Sequence, residues 1–345
     1  MVRLGILGAA RIALGGIVPA ASRTEAIEVS AVATRGGKKA RDAREAAPGA
    51  GIFEDYKSLL QSTELDAIYI PLPNSMHVEW TLKAIEAGKH VLCEKPFSQN
   101  ASGAEKAVEA ASDSGLTLME GFMYRLHPQT LRLEELLRER VIGKVRQAIA
   151  EFGHRIDDPE DVRIIGSLEG GSLGDVGCYC VNALRLAFGS EPVRASAFGR
   201  FAEDGADEEL AGVLEFDGGL GFVSCSTTSA RRERLEIVGT NGRITLYAPF
   251  RADKEGGTIE IQRGGETTVE VFGKDDPYAA ELAEFARAIR ERRDPVTGPT
   301  QILGNARAIE ALLKSARADG GALELPATAS PNITRKRPDR AQSTT

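Results

Sequence analysis

Short apolar runs and helical patterns alternate along the first third of the chain. The runs have the length of buried strands and occupy residues 4–7, 29–33, 66–70, 91–93 and 117–120. Helical segments lie between them at residues 56–60, after residue 77 and at 102–114. In the second helix Val78, Leu82 and Ile85 are spaced to form one apolar face. Repeated strand–helix units of this length predict an α/β fold with a doubly wound parallel sheet and right-handed crossovers.

The pattern changes near residue 121. A helix predicted at residues 128–140 is followed mainly by strand patterns at 144–152, 194–201, 209–216, 220–227, 234–238, 243–246, 258–262 and 268–272. Hairpin signals at residues 217–219 and 240–242 join some of them, and helical patterns return at 276–292 and 300–318. This part predicts an α+β domain with a largely antiparallel sheet. One face of such a sheet needs a cover, which favours self-association.

Length and charge restrict the class of protein. At 345 residues two domains are expected, and we predict them at residues 1–122 and 123–325, with a disordered tail at 326–345. A net charge of −7 argues against nucleic acid or an anionic membrane as the main partner. The basic run at residues 334–337 is therefore expected to be part of a solvated tail. The chain shows no signal-peptide pattern and no run of transmembrane length, so we expect a cytoplasmic protein.

The four cysteines predict no special chemistry. They are too few and too irregularly spaced for a disulfide framework. Cys178 and Cys180 stand two apart, so on a helix they point in different directions and do not form half of a metal site. We therefore expect no bound metal.

The turn after the first strand is a candidate dinucleotide site. Gly8, Ala10 and Ala13 are small residues at the three positions where such a turn needs them, and they read G-x-A-x-x-A. The match to the glycine fingerprint is loose, and an ordinary strand-to-helix turn remains the alternative.

The end of the second strand bears on which dinucleotide would bind. A site specific for NAD usually places an acid here to hold the ribose hydroxyls. This strand instead continues into Thr34, Arg35, Lys38 and Lys39, a hydroxyl followed by cations. These groups suit a 2′-phosphate, so we predict NADP in preference to NAD.

Lys95 follows the apolar run at residues 91–93 directly after Glu94. Ligands bind at the carboxyl ends of strands in open parallel sheets, and a lysine at that place is a candidate working group. Pro96 disfavours helical geometry at Lys95 and permits a cis peptide bond. The position alone is weak, because most lysines are solvated surface residues.

Two further elements offer candidate chemistry. Asp175 and Tyr179 lie four residues apart on a predicted helix, so they share one face and form a plausible proton-transfer pair. A tyrosine hydrogen-bonded to a helix-terminal aspartate is the structural alternative. His77 ends a rigid loop, and we expect it to line the cofactor cleft or cap a helix rather than act as a base.

The ordered motifs resemble the glucose-fructose oxidoreductase / inositol dehydrogenase (Gfo/Idh/MocA) family. The resemblance rests on residues 73–77, 87–96, 119–128 and 170–182 and extends from residue 2 to 318. It is strongest to the branch of dimeric dihydrodiol dehydrogenases and NADP-dependent D-xylose dehydrogenases. Ala10 and Ala13 depart from the family's glycines, and Tyr124 stands where many relatives have tryptophan.

The resemblance implies a Rossmann domain, an α+β domain with an open antiparallel sheet, and dimers formed through that sheet. It implies that Lys95, Tyr179 and Asp175 are catalytic. The expected cofactor contacts are Gly8, Ala10, Arg11, Ile12, Thr34, Arg35, Lys39, Pro71, Leu72, Asn74, His77, Glu94, Lys95 and Arg125. The expected substrate contacts are Tyr124, His154 and Arg163.

These expectations lead to a functional hypothesis. We predict an NADP-dependent oxidoreductase acting on a sugar or cyclic polyol, with an aldose such as xylose preferred. Tyr179 would transfer the proton, Lys95 would lower the pKa of Tyr179 and bind the reacting oxygen, and Asp175 would orient its neighbours. Glu94 is expected to anchor its loop. The alternatives are a dihydrodiol or carbonyl oxidoreductase and a non-catalytic NADP-binding sensor.

Overall fold

Six parallel strands form the first sheet of the structure, a computed structural model that describes residues 1–326. Their order is β3-β2-β1-β4-β5-β6. Strands β2 and β3 are added on one side of β1 and strands β4 to β6 on the other, so the order of strands reverses between β1 and β4. The strands are β1 (Val2–Leu7), β2 (Ile27–Ala33), β3 (Gly51–Phe53), β4 (Ala67–Ile70), β5 (His90–Glu94) and β6 (Leu118–Gly121). This confirms the predicted doubly wound sheet. The sequence pattern missed β3, which has three residues, none of them fully buried.

Five helices accompany this sheet. They are α1 (Val18–Ala21), α2 (Gly37–Ala46), α3 (Tyr56–Leu60), α4 (His77–Glu86) and α5 (Ala101–Ser114). The predicted apolar face of α4 packs on the core as expected: Ile85 is buried in it, and Val78 and Leu82 are half-buried against it. The buried side of α4 also contains His77, Trp80, Thr81 and Ala84.

The second sheet has nine strands in the order β14-β13-β12-β11-β7-β10-β9-β8-β15. They are β7 (Val145–Gly153), β8 (Arg194–Phe201), β9 (Asp207–Phe216), β10 (Gly219–Ser226), β11 (Arg232–Gly239), β12 (Gly242–Tyr247), β13 (Gly257–Arg263), β14 (Glu266–Phe272) and β15 (Leu323–Glu324). Neighbouring strands are antiparallel except for β7 and β10. The sheet is therefore mixed, although mainly antiparallel as predicted.

Five more helices follow β6. They are α6 (Pro128–Arg138), α7 (Cys178–Phe188), α8 (Ala252–Glu255), α9 (Pro277–Glu291) and α10 (Pro299–Arg317). A single π-helical turn, Leu173–Gly177, leads directly into α7. Throughout residues 1–326, no helix combines the length and apolar character needed to span a membrane.

The last two long helices return to the first sheet. Leu282 and Phe285 of α9 are fully buried in a core that also contains Leu4 and Ile6 of β1. Ile302 of α10 is buried in the core on the other side of the same sheet. The predicted division at residues 122 and 123 stays a prediction, and these contacts join the two parts of the chain. The predicted tail falls outside the described residues beyond position 326.

Candidate active site

The carboxyl ends of β1, β4 and β5 open into a cleft between the two sheets. It has a volume of about 300 Å³. The strand order reverses at this edge, which is where open parallel sheets bind ligands. Its walls include Ala10, Arg11, Ile12, Pro71, Leu72, Asn74, Glu94, Lys95, Arg163, Asp175 and Tyr179, all of them predicted contact or catalytic residues.

The turn after β1 has the geometry of a dinucleotide-binding loop. Gly8 has φ +101°, a conformation that L side chains rarely adopt, and a Cβ there would lie 3.1 Å from Leu72 Cδ2. Arg11 projects from the turn and forms an ion pair with Asp161 across the cleft, with Nη2 and Oδ2 3.3 Å apart. The turn therefore leaves its backbone open for close approach by a ligand, as a pyrophosphate requires.

The end of β2 holds the predicted cations close to this turn. Lys39 Nζ donates a hydrogen bond to Ala9 O at 3.0 Å. Thr34 is buried and its Oγ1 accepts from Gly36 N at 3.0 Å, while Arg35 is exposed. The first turn of α2 thus places the Lys39 ammonium beside the turn after β1, and the exposed guanidinium of Arg35 follows the end of β2. A dinucleotide with a 2′-phosphate fits this arrangement, and no carboxylate from the strand end opposes it.

Lys95 lies on the floor of the cleft, and the Lys95–Pro96 peptide bond that follows it is cis. Its Nζ donates to Asp175 O at 2.6 Å, lies 3.5 Å from Asp175 Oδ1, and stands 4.9 Å from the centre of the Tyr179 ring. Burial lowers the pKa of Lys95, but the nearby Cys178, Asp175 and Glu94 more than offset this, and the pKa is raised. Lys95 is therefore a charged group within the site.

Tyr179 reaches the same point from α7. It is 7% exposed, and its hydroxyl lies 3.7 Å from Met123 Sδ. Burial raises the pKa of Tyr179 well above its ordinary value. Burial therefore sets the net direction of the shift at Tyr179, and the lowering of this pKa expected from the nearby Lys95 charge stays a prediction. Tyr179 accordingly holds its proton.

Asp175 links Lys95 to two further predicted residues. Its Oδ2 lies 3.3 Å from His154 Nε2 and 3.6 Å from Arg163 Nη1. Arg163 is held in turn by a 2.8 Å contact with Asp161. Burial and the cations around His154 lower the pKa of His154 despite the opposing effect of Asp175. The imidazole is therefore mainly neutral at pH 7 and can accept or donate a hydrogen bond.

Comparison with known proteins agrees with this geometry. The sequence model of the oxidoreductase family with an NAD-binding Rossmann fold (Gfo/Idh/MocA) matches residues 2–122, and that of the Gfo/Idh/MocA C-terminal domain matches residues 130–245. The D-xylose 1-dehydrogenase (NADP(+)) 2 of Haloferax volcanii is 35% identical over 325 residues, which cover 93% of this chain and 99% of that protein. The chain belongs to the Gfo/Idh/MocA oxidoreductase family.

Two solved structures have the same fold as this chain. A 3-ketoreductase from Actinomadura kijaniata, in complex with NADP and TDP-benzene, has a TM-score of 0.83 and 30% identity. The match covers 92% of this chain and 97% of that one. An aldose-aldose oxidoreductase from Caulobacter crescentus, complexed with glycerol, has a TM-score of 0.85 and 26% identity, and the match covers 94% and 99% of the two chains.

Three residues predicted to contact cofactor or substrate lie elsewhere in this family member. His77 is fully buried, and its two ring nitrogens lie 2.8 Å from Pro96 O and Leu72 O. It joins the loops after β4 and β5 instead of lining the cleft, and its burial lowers its pKa. The position of His77 at the end of a loop predicted that it lines the cleft. In the structure, both ring nitrogens instead lie within hydrogen-bonding distance of backbone carbonyl oxygens inside the protein.

Tyr124 and Arg125 are the other two corrections. Tyr124 packs behind Tyr179, with ring centres 5.7 Å apart, and its hydroxyl donates to Asn182 Oδ1. Arg125 points away from the cleft and donates to Glu134 Oε1 at 2.8 Å. Their short 3-10 turn, Met123–Leu126, directs consecutive side chains to the interior, where Tyr124 packs against Tyr179 and does not line the cleft.

Sequence reasoning missed eight residues that line the cleft, and four of these have a polar or sulfur-containing side chain. Those four are Met123, Asp161, Arg251 and Tyr278. Arg251 follows β12 and is held by two hydrogen bonds to Asp253, of 2.9 and 3.0 Å. Tyr278 begins α9, far along the chain from the sheet whose edge it covers. No local pattern marks either position, because only the return of these segments to the first sheet brings them to the site.

Proposed function

We propose that the protein is an NADP-dependent oxidoreductase that transfers a hydride between the nicotinamide and a hydroxyl-bearing or carbonyl carbon of a sugar or cyclic polyol. The observation that carries the proposal is the meeting of Lys95, Asp175 and Tyr179 at one point of the cleft. The named relatives support it, since one is a D-xylose dehydrogenase using NADP(+) and another is a scyllo-inositol 2-dehydrogenase using NADP(+). An aldose such as xylose is the first candidate substrate.

The cofactor would be held at one side of the cleft. The turn at Gly8 would receive the pyrophosphate, and Arg35 and Lys39 would bind the 2′-phosphate. When bound, NADP supplies the nicotinamide carbon that accepts or gives the hydride. Glu94, which accepts a hydrogen bond from Tyr69 at 2.6 Å, anchors the loop that carries Lys95.

The residues of the chain would divide the remaining work. Lys95 donates a hydrogen bond to the reacting oxygen and stabilises negative charge there. Tyr179 gives its proton to that oxygen in reduction and takes it back in oxidation. The charge of Lys95 over the ring stabilises the phenolate formed in between. Asp175 keeps Lys95 and His154 in place and offers an acceptor to substrate hydroxyls.

The polar walls favour a sugar over an apolar diol or carbonyl compound. A trans-1,2-dihydrobenzene-1,2-diol dehydrogenase from Oryctolagus cuniculus is 34% identical over 231 residues, so this second activity is the alternative. Arg163, Asp175 and Arg251 line the cleft here and would be poorly used by an aromatic substrate. A non-catalytic sensor would have no use for the proton-transfer pair.

A nicotinamide absorbance assay tests the proposal. Purified protein is offered a panel of aldoses, inositols and aromatic dihydrodiols with NADP and with NAD in separate reactions. We expect turnover with an aldose or inositol and a higher kcat/KM with NADP. Lys95→Ala should reduce kcat/KM by about 10²–10³-fold, because the group that stabilises the reacting oxygen is lost.

Lys106→Ala is the matched control, since Lys106 is exposed on α5 and should leave turnover unchanged. Wild-type turnover in Lys95→Ala would refute the mechanism. NADP binding without turnover on any substrate would favour the sensor, and a preference for NAD would refute the roles of Arg35 and Lys39.

We further propose a cytoplasmic homodimer that forms through the uncovered face of the second sheet. The register places Ile149 of β7, Phe222 of β10 and Val213 of β9 side by side in one row. They alternate with Ala148 and Ala150, which are buried under the helices, so the row faces away from the helix layer. An apolar row at the centre of a sheet face is suited to a second copy of the chain.

A further inference from the structure

A second cavity lies on the helix-covered side of the second sheet, between the ends of α6 and α7 and the beginning of β7. It has a volume of about 710 Å³ and shares no lining residue with the catalytic cleft. Arg146 shows which side of the sheet the cavity occupies. Alternate residues of a strand point to the same face, so Arg146 of β7 lies on the same face as the buried Ala148 and Ala150. The cavity, called the basic groove below, is therefore separate from the apolar row proposed for dimerisation.

The groove concentrates positive charge on an acidic protein. Five cations line it against two carboxylates, whereas the whole chain has a net charge of −7. The cations are Arg125, Arg138, Arg140, Lys144 and Arg146. Among residues 1–326, no carboxylate oxygen lies within 4.0 Å of Arg138, Arg140 or Lys144. Unpaired like charges that face one cavity repel each other and attract an anion.

The floor of the groove has a buried cation with unused hydrogen-bonding capacity. The Arg125 side chain is 7% exposed, and one carboxylate, Glu134, contacts it at 2.8 Å. Its Nη1 is at a long 3.4 Å from Asn182 Oδ1, and its buried Nε has no hydrogen-bond partner. A guanidinium buried with an unused donor is costly, and an anion entering the groove would add favourable charge beside it.

One wall of the groove is apolar. Leu186 and Phe188, at the end of α7, are half-buried and line it. Phe188 is fixed by stacking on Phe216, with ring centres 4.2 Å apart and planes inclined by 9°. Arg146 is fixed at the other side by a 3.0 Å hydrogen bond from Nη1 to Gly218 O. The groove thus combines fixed cations with a fixed aromatic surface, and its volume suits a small molecule.

We propose that the basic groove binds a small multivalent anion of the polyphosphate class with an aromatic part that packs on Phe188, as a nucleoside polyphosphate has. The phosphates contact Arg138, Arg140 and Lys144 at the rim, and the charge of Arg125 attracts them from the floor. The site is distinct from the cofactor cleft, which faces the first sheet. Ligand binding at the groove requires no hydride transfer, so it can be tested separately from the proposed oxidoreductase activity.

Calorimetric titration of the full chain tests this proposal. The protein is first saturated with NADP so that the cofactor cleft is filled, and it is then titrated with ADP or with inorganic tripolyphosphate. We expect both probes to bind with one site per chain. The double variant Arg138→Gln, Lys144→Gln should weaken both by about tenfold or more, because two phosphate contacts are lost. Phe188→Ala should weaken the binding of ADP, which has an aromatic base, and leave the binding of tripolyphosphate unchanged.

The double variant Lys106→Gln, Arg290→Gln is the matched control. It removes the same charge from exposed helix positions outside the groove and should bind both probes as the wild type does. Equal weakening in the two double variants would show a general charge effect and overturn the proposal. So would the absence of binding heat, or an ADP site that NADP fills competitively. Unchanged melting temperatures show that each variant is folded.

Discussion

The side chain of Tyr179 is buried among other aromatic side chains. Phe122, Tyr124, Phe152 and Phe250 surround the ring at centre distances of 5.3 to 5.7 Å. This aromatic surround excludes water, which raises the pKa of Tyr179 and keeps its proton available for transfer. At the scale of the residue, burial therefore sets the upward direction of the pKa shift, and the neighbouring lysine charge opposes it by stabilising the phenolate.

Tyr179→Phe tests this role. The substitution keeps the ring packing and removes only the hydroxyl, so kcat should fall by about 10²–10⁴-fold with little change in KM. Tyr124→Phe is the comparison, because that hydroxyl donates to Asn182 behind the site and not into the cleft. Steady-state kinetics on the best substrate measures both. A similar loss in the two variants would show that the hydroxyl of Tyr179 has no special part.

Glu120 is a buried acid whose titration bears on stability. Its Oε1 accepts from Phe97 N at 2.7 Å, its Oε2 has no partner, and burial raises its pKa to about 8. Between the ordinary pKa of a glutamate and this value the folded state binds the extra proton, so stability falls as the pH rises. The expected slope is up to about 1.4 kcal/mol per pH unit.

Glu120→Gln removes this titration and should flatten the pH dependence of stability between about pH 5 and pH 8. Urea unfolding at several pH values measures it. Glu139→Gln is the control, since Glu139 is exposed and should leave the slope as in the wild type. A wild-type slope in Glu120→Gln would contradict the raised pKa.

At the scale of the element, strand ends determine where the chemistry lies. The turn after β1, the cations after β2 and Lys95 after β5 all stand at the same edge, because the strands are parallel. Tyr179, the proposed proton donor, comes from a different kind of element. The π-helical turn Leu173–Gly177 continues into α7, and this brings Asp175 and Tyr179 to the same cleft as Lys95.

The end of β2 carries the prediction for cofactor choice. Arg35→Ala should weaken NADP binding by about tenfold and leave NAD binding unchanged, because in the proposed mode the guanidinium would contact only the 2′-phosphate. Arg44→Ala is the control, since Arg44 is exposed in the last turn of α2, away from the strand end. Titration with each oxidised dinucleotide measures both variants. Equal weakening for NADP and NAD would place Arg35 elsewhere on the cofactor.

At the scale of the whole molecule, two long-range features assemble the cleft. The ion pair of Arg11 with Asp161 connects the turn after β1 to the loop that follows β7. The buried side chains of α9 attach the end of the chain to the first sheet and bring Tyr278 to the site. The cleft therefore consists of parts that are more than 250 residues apart in the sequence.

The dimer prediction belongs to this scale. The double variant Ile149→Glu, Phe222→Glu places charges in the centre of the apolar row and should convert the dimer into monomers. Leu131→Glu is the control, because Leu131 is exposed on α6 and lies outside the second sheet. Light scattering after size-exclusion chromatography gives the mass. A wild-type mass in the double variant, or a monomeric wild type, would contradict the proposed interface.

The sequence alone determined much of the fold and the centre of the site. Apolar runs of strand length, separated by helical segments, specify a doubly wound sheet because buried strands and covering helices have different periods. The loop position of Lys95 and the spacing of Asp175 and Tyr179 are likewise local facts. Local position made these residues candidates, and the resemblance of the ordered motifs to a known family selected them from other lysines, acids and tyrosines.

Only the tertiary structure decided which other side chains share the cleft. His77 and Arg125 have local positions that suggest cofactor contacts, but their polar atoms are engaged by groups from other elements. Arg251 and Tyr278 reach the cleft without any local pattern, because distant segments fold back over the first sheet. Side-chain direction and burial depend on packing between elements, and that packing also sets the pKa of Tyr179.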